Sequence, residues 1–159
     1  MTLSRFERAE ESPGFLLWQL TNLWQQRMRA ALAPLGLTHV QFVLLASAAW
    51  LEQSGADVVS QAMLSRHAHT DVMMTSQVVR ALEEKSLLTR SAHPTDPRAK
   101  AVALTEEGRA LARRAMTVVE DADERFFHPL DGDVASFARL ARLLVAAHAK
   151  GQTSTPAEE

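Results

Sequence analysis

The sequence predicts a mainly α, α+β fold centred on a winged helix-turn-helix, and three observations carry that prediction. Residues 60–105 read as a short helix, a tight interruption, a second helix and a hairpin, in that order. The second helix separates an apolar stripe from a face that mixes polar with apolar groups. The hairpin is basic, and its turn carries two prolines.

The whole chain sets bounds on this reading. With 159 residues and 47% hydrophobic content, it suits one compact domain or two tightly joined subdomains with a real core. Net charge is −2, so the chain is not globally basic. It holds no cysteine, which removes disulfides, thiolate catalysis and Cys-based metal sites. No apolar run reaches the length of a membrane span, and the N-terminus is charged and unlike a signal peptide. A soluble cytoplasmic protein with no membrane partner is expected. No internal repeat is visible.

Taken in order, residues 1–11 form an arm expected to reach a partner. Ser12-Pro13 then starts a helix, serine as N-cap and proline in the first turn. This helix runs to about Ala33. Phe15, Leu16, Leu17, Trp18, Leu20, Leu23, Trp24, Met28 and Leu32 give it an apolar face too broad for one contact. One side should pack on its own domain and the other on a second chain. Pro34-Leu-Gly36 breaks it. Thr38 caps a helix from His39 to about Gln53, apolar nearly all round from Val40 to Leu51 and Trp50 included. A helix of that kind is buried. Residues 54–57 end it, and Val58-Val59 can add a short strand.

Ser60 suits an N-cap for a short helix with Ala62, Met63 and Leu64 on its apolar side. His69-Thr70-Asp71 interrupts it, and Thr70 or Asp71 caps a helix over 72–86. At roughly 100° per residue, Val72, Thr75, Ser76, Val79 and Leu82 share the inward face. Thr70, Met73, Met74, Gln77, Arg80, Ala81 and Glu84 share the other. Exposed methionines beside glutamine and arginine suit a duplex, since apolar groups touch thymine methyls and Gln pairs bidentately with adenine. Packing of Met73 or Met74 on a neighbouring helix is the plainer alternative, and Met73 lies nearer the buried edge.

The hairpin enters through Leu87, Leu88 and Thr89, turns at 93–97 and returns through Ala101, Val102, Ala103 and Leu104. Arg90, Arg98 and Lys100 on or beside it suit phosphate contact and minor-groove insertion. Residues 60–105 carry six basic side chains (Arg66, Arg80, Lys85, Arg90, Arg98, Lys100) against four acidic ones (Asp71, Glu83, Glu84, Asp96). Positive charge is therefore concentrated where a duplex would dock. A long helix follows over 106–127, with Leu111, Ala115, Val118, Ala122 and Phe126 as its predicted inner face. Pro129-Leu-Asp-Gly132 breaks the chain. A last helix then carries Val134, Phe137, Leu140, Leu144 and Ala147 on one side. Residues 12–54 and 106–149 thus read as a helical dimerisation layer, 55–105 as a DNA-binding lobe, and 150–159 as a polar tail.

Four stretches carry a resemblance. Asp96-Pro-Arg98-Ala-Lys100-Ala-Val-Ala-Leu104-Thr105 resembles the wing of the MarR family of bacterial transcription regulators. Leu82-Glu-Glu-Lys-Ser-Leu-Leu-Thr-Arg90 resembles the end of its recognition helix and its first wing strand. Leu37-Thr-His-Val-Gln41-Phe42-Val-Leu-Leu45 resembles the opening of its second helix, and Thr105-Glu-Glu-Gly108 that of its fifth. The likeness covers about residues 13–148. Ser86 departs from the family's usual glycine, and Gln77 stands where the family often has arginine. The resemblance implies a homodimer reading a pseudo-palindromic double-stranded DNA site, acting as a repressor or activator. It also implies a small aromatic or phenolic effector between the two lobes, where Phe15, Trp18, His39 and Phe42 would line the cleft. The alternative for those four is ordinary core and dimer packing.

The expected DNA-contacting residues are Ser60, Arg66, Thr70, Met73, Met74, Gln77, Arg80, Arg90, Arg98 and Lys100. No cofactor, metal or catalytic residue is expected. The histidines lack the i, i+4 spacing of a helical zinc site, and no phosphate loop, Ser-His-Asp order or carboxylate pair stands out. Two competing readings are a winged-helix protein–protein module without specific DNA binding and a small enzyme or ligand carrier.

Overall fold

The computed structural model describes residues 5–149, so the start of the predicted arm and the predicted tail over 150–159 lie outside the described residues. The elements are α1 (Pro13–Leu32), α2 (His39–Gln53), β1 (Val59–Ser60), α3 (Gln61–Ala68), α4 (Val72–Glu84), β2 (Leu88–Ala92), β3 (Lys100–Leu104), α5 (Glu106–Phe127) and α6 (Val134–Ala149). Short 3-10 turns occupy Ala9–Glu11, Ala33–Leu35 and His128–Asp133. The chain forms two compact units, Met1–Ala122 and Asp123–Glu159, with α5 crossing the boundary.

The caps explain why the helix starts were readable. Ser12 Oγ accepts from the Phe15 N–H at the start of α1. Thr38 and Gln41 form a reciprocal capping box at the start of α2, at 3.2 Å each way. Ser60 Oγ accepts from Met63 N–H, and Asp71 Oδ1 from Met74 N–H at 2.7 Å. Helix ends close with left-handed residues: Gly36, Gly55, His69 and Ser86 all have positive φ. At Ser86 (φ 59°) the Leu87 N–H reaches Leu82 O and the Ser86 N–H reaches Glu83 O. That is a Schellman closure built without glycine, in a conformation costing a non-glycine residue about 1–2 kcal/mol.

The core of the first unit forms around α2. Leu44, Leu45 and Ala48 are buried with Met28 and Leu32 of α1, Leu64 of α3, Val79 and Leu82 of α4, and Val102 and Leu104 of β3. The sheet is antiparallel in the order β1-β3-β2, with Val59 opposite Val102 and Leu88 opposite Leu104. Thr105 joins the sheet to α5. Its hydroxyl donates to Ser86 O and accepts from Gly108 N–H. A Cβ on Gly108 would collide with the Leu87 carbonyl, so glycine lets α5 start against the end of α4.

Three readings of helix faces need correction. Trp50 is 61% exposed, so α2 is buried on one side and not all round. Val72, assigned to the inner face of α4, is 72% exposed because it sits in the first turn, before the helix reaches the core. The buried face of α5 is Gly108, Ala112, Ala115, Val119 and Ala122; Leu111, Val118 and Phe126 are only half-buried. At Gly108 the reason is space, since a Cβ there would meet the Leu87 carbonyl.

In the second unit, Phe127 packs against Phe126 and Phe137 at ring-centroid distances of 5.2 and 5.3 Å. No residue of α6 is buried.

Candidate nucleic-acid interface

The exposed side of α4 is set by what holds its other side. Thr75 is buried and fully engaged: its hydroxyl lies 2.8 Å from Asp71 O and 2.8 Å from the Thr70 hydroxyl. Ser65 Oγ donates to Thr70 O at 2.6 Å, which ties the α3–α4 turn to α3. With Thr75, Val79 and Leu82 buried, the opposite face presents Met73, Met74, Gln77 and Arg80. Met73 is 75% exposed and Met74 43%, so Met73 does not pack on a neighbouring helix of this chain. Among the described residues the Arg80 guanidinium reaches only Ser76 Oγ, at 3.3 Å. The face is thus two flexible thioethers, one amide and one guanidinium on a rigid helix.

The wing stands beside it. Its tip is organised from within: His93 Nδ1 accepts from the Thr95 and Asp96 N–H groups, and Asp96 Oδ1 accepts from Arg98 N–H at 2.9 Å. This fixes the Arg98 backbone while its exposed guanidinium has no partner among the described residues. Lys100 is exposed on β3 and Arg66 on α3.

Three of the expected contact residues have partners within the fold. Arg90 is half-buried and paired with Glu83 at 2.7 Å, which matches its charge inside the fold. Ser60 is buried, and its hydroxyl is committed to capping α3. Thr70 is half-buried, with its hydroxyl turned to Thr75.

The expected effector wall is also changed. Phe42, only 6% exposed, belongs to the core. His39 meets Trp24 edge-on at 4.9 Å. Trp18 borders a shallow recess with Gln19, Asn22 and Leu23, and Phe15 is exposed. A better-formed recess of about 390 Å³ lies between α2 and α5, lined by Trp50, Glu52, Arg109, Arg113 and Met116 among others. There Glu52 bonds Leu104 N–H at 3.0 Å and the Arg109 guanidinium at 2.9 Å. Glu52, and Glu106 more weakly, hold Arg109 protonated beyond its ordinary range. In sequence Glu52 carries no reading, Arg109 marks only a wet side of its helix and Lys85 only adds to the basic count. Each works across dozens of residues, and no local spacing announces such a bond.

Among the described residues no group of His, Cys, Asp and Glu could hold a metal ion, and no single helix is long and apolar enough to cross a membrane.

Residues 37–100 match the MarR family model. The chain is 44% identical over 124 residues to the uncharacterized HTH-type transcriptional regulator YdcH of Bacillus subtilis, covering 78% of this chain and 84% of that one. It is 39% identical over 118 residues to the HTH-type transcriptional repressor Rv2887 of Mycobacterium tuberculosis, covering 74% of this chain and 81% of that one. The solved structure of Rv2887 in complex with DNA superposes with a TM-score of 0.64 at 34% identity, covering 84% of this chain and 97% of that one. The same protein in complex with salicylic acid gives 0.63 at 36%, covering 84% and 96%.

Proposed function

The chain belongs to the MarR family of transcriptional regulators, and from that premise we propose that it binds a pseudo-palindromic operator as a dimer and acts as a repressor. The observation that carries the reading is the exposed face of α4: Met73, Met74, Gln77 and Arg80 point away from a core that fixes the helix through Thr75, Val79 and Leu82. Such a face fits a major groove, with Gln77 on adenine, the methionines on thymine methyls and Arg80 on a guanine edge or phosphate. Arg98, with Lys100 and Arg66, supplies phosphate contact from either side. Two copies would set their α4 helices about one helical turn apart. The related repressor solved with DNA supports this assignment.

Its relatives are transcriptional regulators, not enzymes. A small aromatic acid is the proposed effector, supported by the relative solved with salicylic acid. Trp18, Phe15 and His39 are its candidate walls. Such a ligand releases DNA only if it binds better to the arrangement that does not fit the operator. The proposed location is the cytoplasm.

The test is titration of the protein against its own upstream duplex with scrambled competitor at several salt concentrations. Selective binding supports the reading. Arg98→Ala should weaken binding to all sequences alike and lower the slope of log affinity against log salt by about one. Equal, weak binding of the unmodified protein to both duplexes would favour a protein–protein module.

A further inference from the structure

Lys85 caps the C-terminal end of α4, where the helix dipole favours a cation. Its ammonium donates to Gly36 O at 2.6 Å and to Gln41 Oε1 at 3.0 Å, on a segment more than forty residues away. Both acceptors belong to the joint between α1 and α2. Gly36 is the left-handed residue that ends the Ala33–Leu35 turn. Gln41 is buried, and the same side-chain oxygen that receives Lys85 also receives the Thr38 N–H in the capping box. The ammonium has no carboxylate within ion-pair reach among the described residues. Its partners are two neutral oxygens, whose directions matter more than their charge. One side chain therefore joins the end of α1, the start of α2 and the end of α4.

We infer that Lys85 is a positioning residue for DNA recognition: it fixes α4 to the α1–α2 joint, so that a displacement of α1 is passed to the helix that reads the operator. The inference rests on the reading that α4 enters the major groove. In a dimer held through α1, the separation of the two α4 helices then depends on this joint. Lys85 sits two turns beyond Gln77 on the same helix, at the end away from the capped N-terminus. It acts through α4, without touching the DNA itself.

The experiment uses the full chain and an operator selected from random duplexes by the unmodified protein. Lys85→Met and Lys85→Arg are compared with it on that operator at four salt concentrations, and on operators whose half-sites are moved apart by one or two base pairs. Lys85→Met should lose roughly tenfold in affinity. It should keep the salt slope and discriminate less among the three spacings. Lys85→Arg should restore most of the discrimination. Gln41→Leu, which removes one acceptor and no charge, should also blur spacing. A slope lowered by about one in Lys85→Met would make it a phosphate contact and overturn the inference. Unchanged affinity and spacing preference would overturn it too. Hydrogen exchange of the free protein separates this failure from that of the DNA reading. Amides over 82–87 should exchange faster in Lys85→Met whether or not the protein binds DNA, and unchanged exchange there sinks the anchoring role.

Discussion

Of the helices that leave apolar side chains in water, α4 and α6 do so differently. On α4 the exposed apolar groups are Val72, Met73 and Met74, confined to the first turn and followed by Gln77 and Arg80. On α6 they run most of the helix: Val134, Phe137, Leu140, Leu143, Leu144 and Val145. A short patch beside an amide and a guanidinium can meet base edges, which offer methyls next to donors and acceptors. A long stripe of Leu, Val and Phe suits an apolar surface, such as that of a second copy. Exposure on this scale is what an interaction surface looks like. The polar groups interleaved with it say which kind.

The sharpest way to break the comparison is to put charge on α6. Leu140→Glu with Leu144→Glu should abolish the proposed dimer at micromolar concentration, a loss of at least about 100-fold in self-affinity, read by sedimentation equilibrium. Winged-lobe helicity should survive by circular dichroism. A double variant that stays dimeric would show that α6 faces something else.

The two faces of α4 give the next contrast. Leu82→Ala, fully buried in the unmodified chain, should cost about 2–5 kcal/mol in denaturant unfolding. Met73→Ala should change stability by no more than about 0.5 kcal/mol. Equal effects would mean the exposed face is packed in solution. A modest effect of the opposite sign is expected at the end of the helix. Ser86→Gly relieves a left-handed serine at the expense of a more flexible unfolded chain, for a net gain of about 0.5–1 kcal/mol in the same unfolding. Operator affinity should not move.

Much of this architecture was legible because local chemistry marks it. Ser12, Thr38, Ser60 and Asp71 each cap the helix they precede, and β2 and β3 flank the proline turn as the hairpin pattern predicts. What resisted reading depends on distance through space. Periodicity favours Leu111 and Val118 for the inside of α5, but the buried face is rotated to Gly108 and Ala112, and at Gly108 the Leu87 carbonyl leaves no room for a Cβ. Arg90 reads as a free cation until the fold brings Glu83 to it from the preceding helix. Phe42 looked like a cleft wall, yet α2 turns it into the core while leaving Trp50 out. The anchoring bonds of Glu52 and Lys85 give no local signal, because their partners lie far along the chain.

The central claim is that α4 reads bases, and Gln77 tests it most directly. The affinity of the unmodified protein and of Gln77→Ala would be measured on the selected operator and on duplexes carrying each single base-pair change. The account predicts that Gln77→Ala loses about 1–3 kcal/mol on the operator, with an unchanged salt slope. It should also become indifferent to one base pair in each half-site, at symmetric positions. Full discrimination retained at every position would contradict it, and α4 would then not be the reading helix.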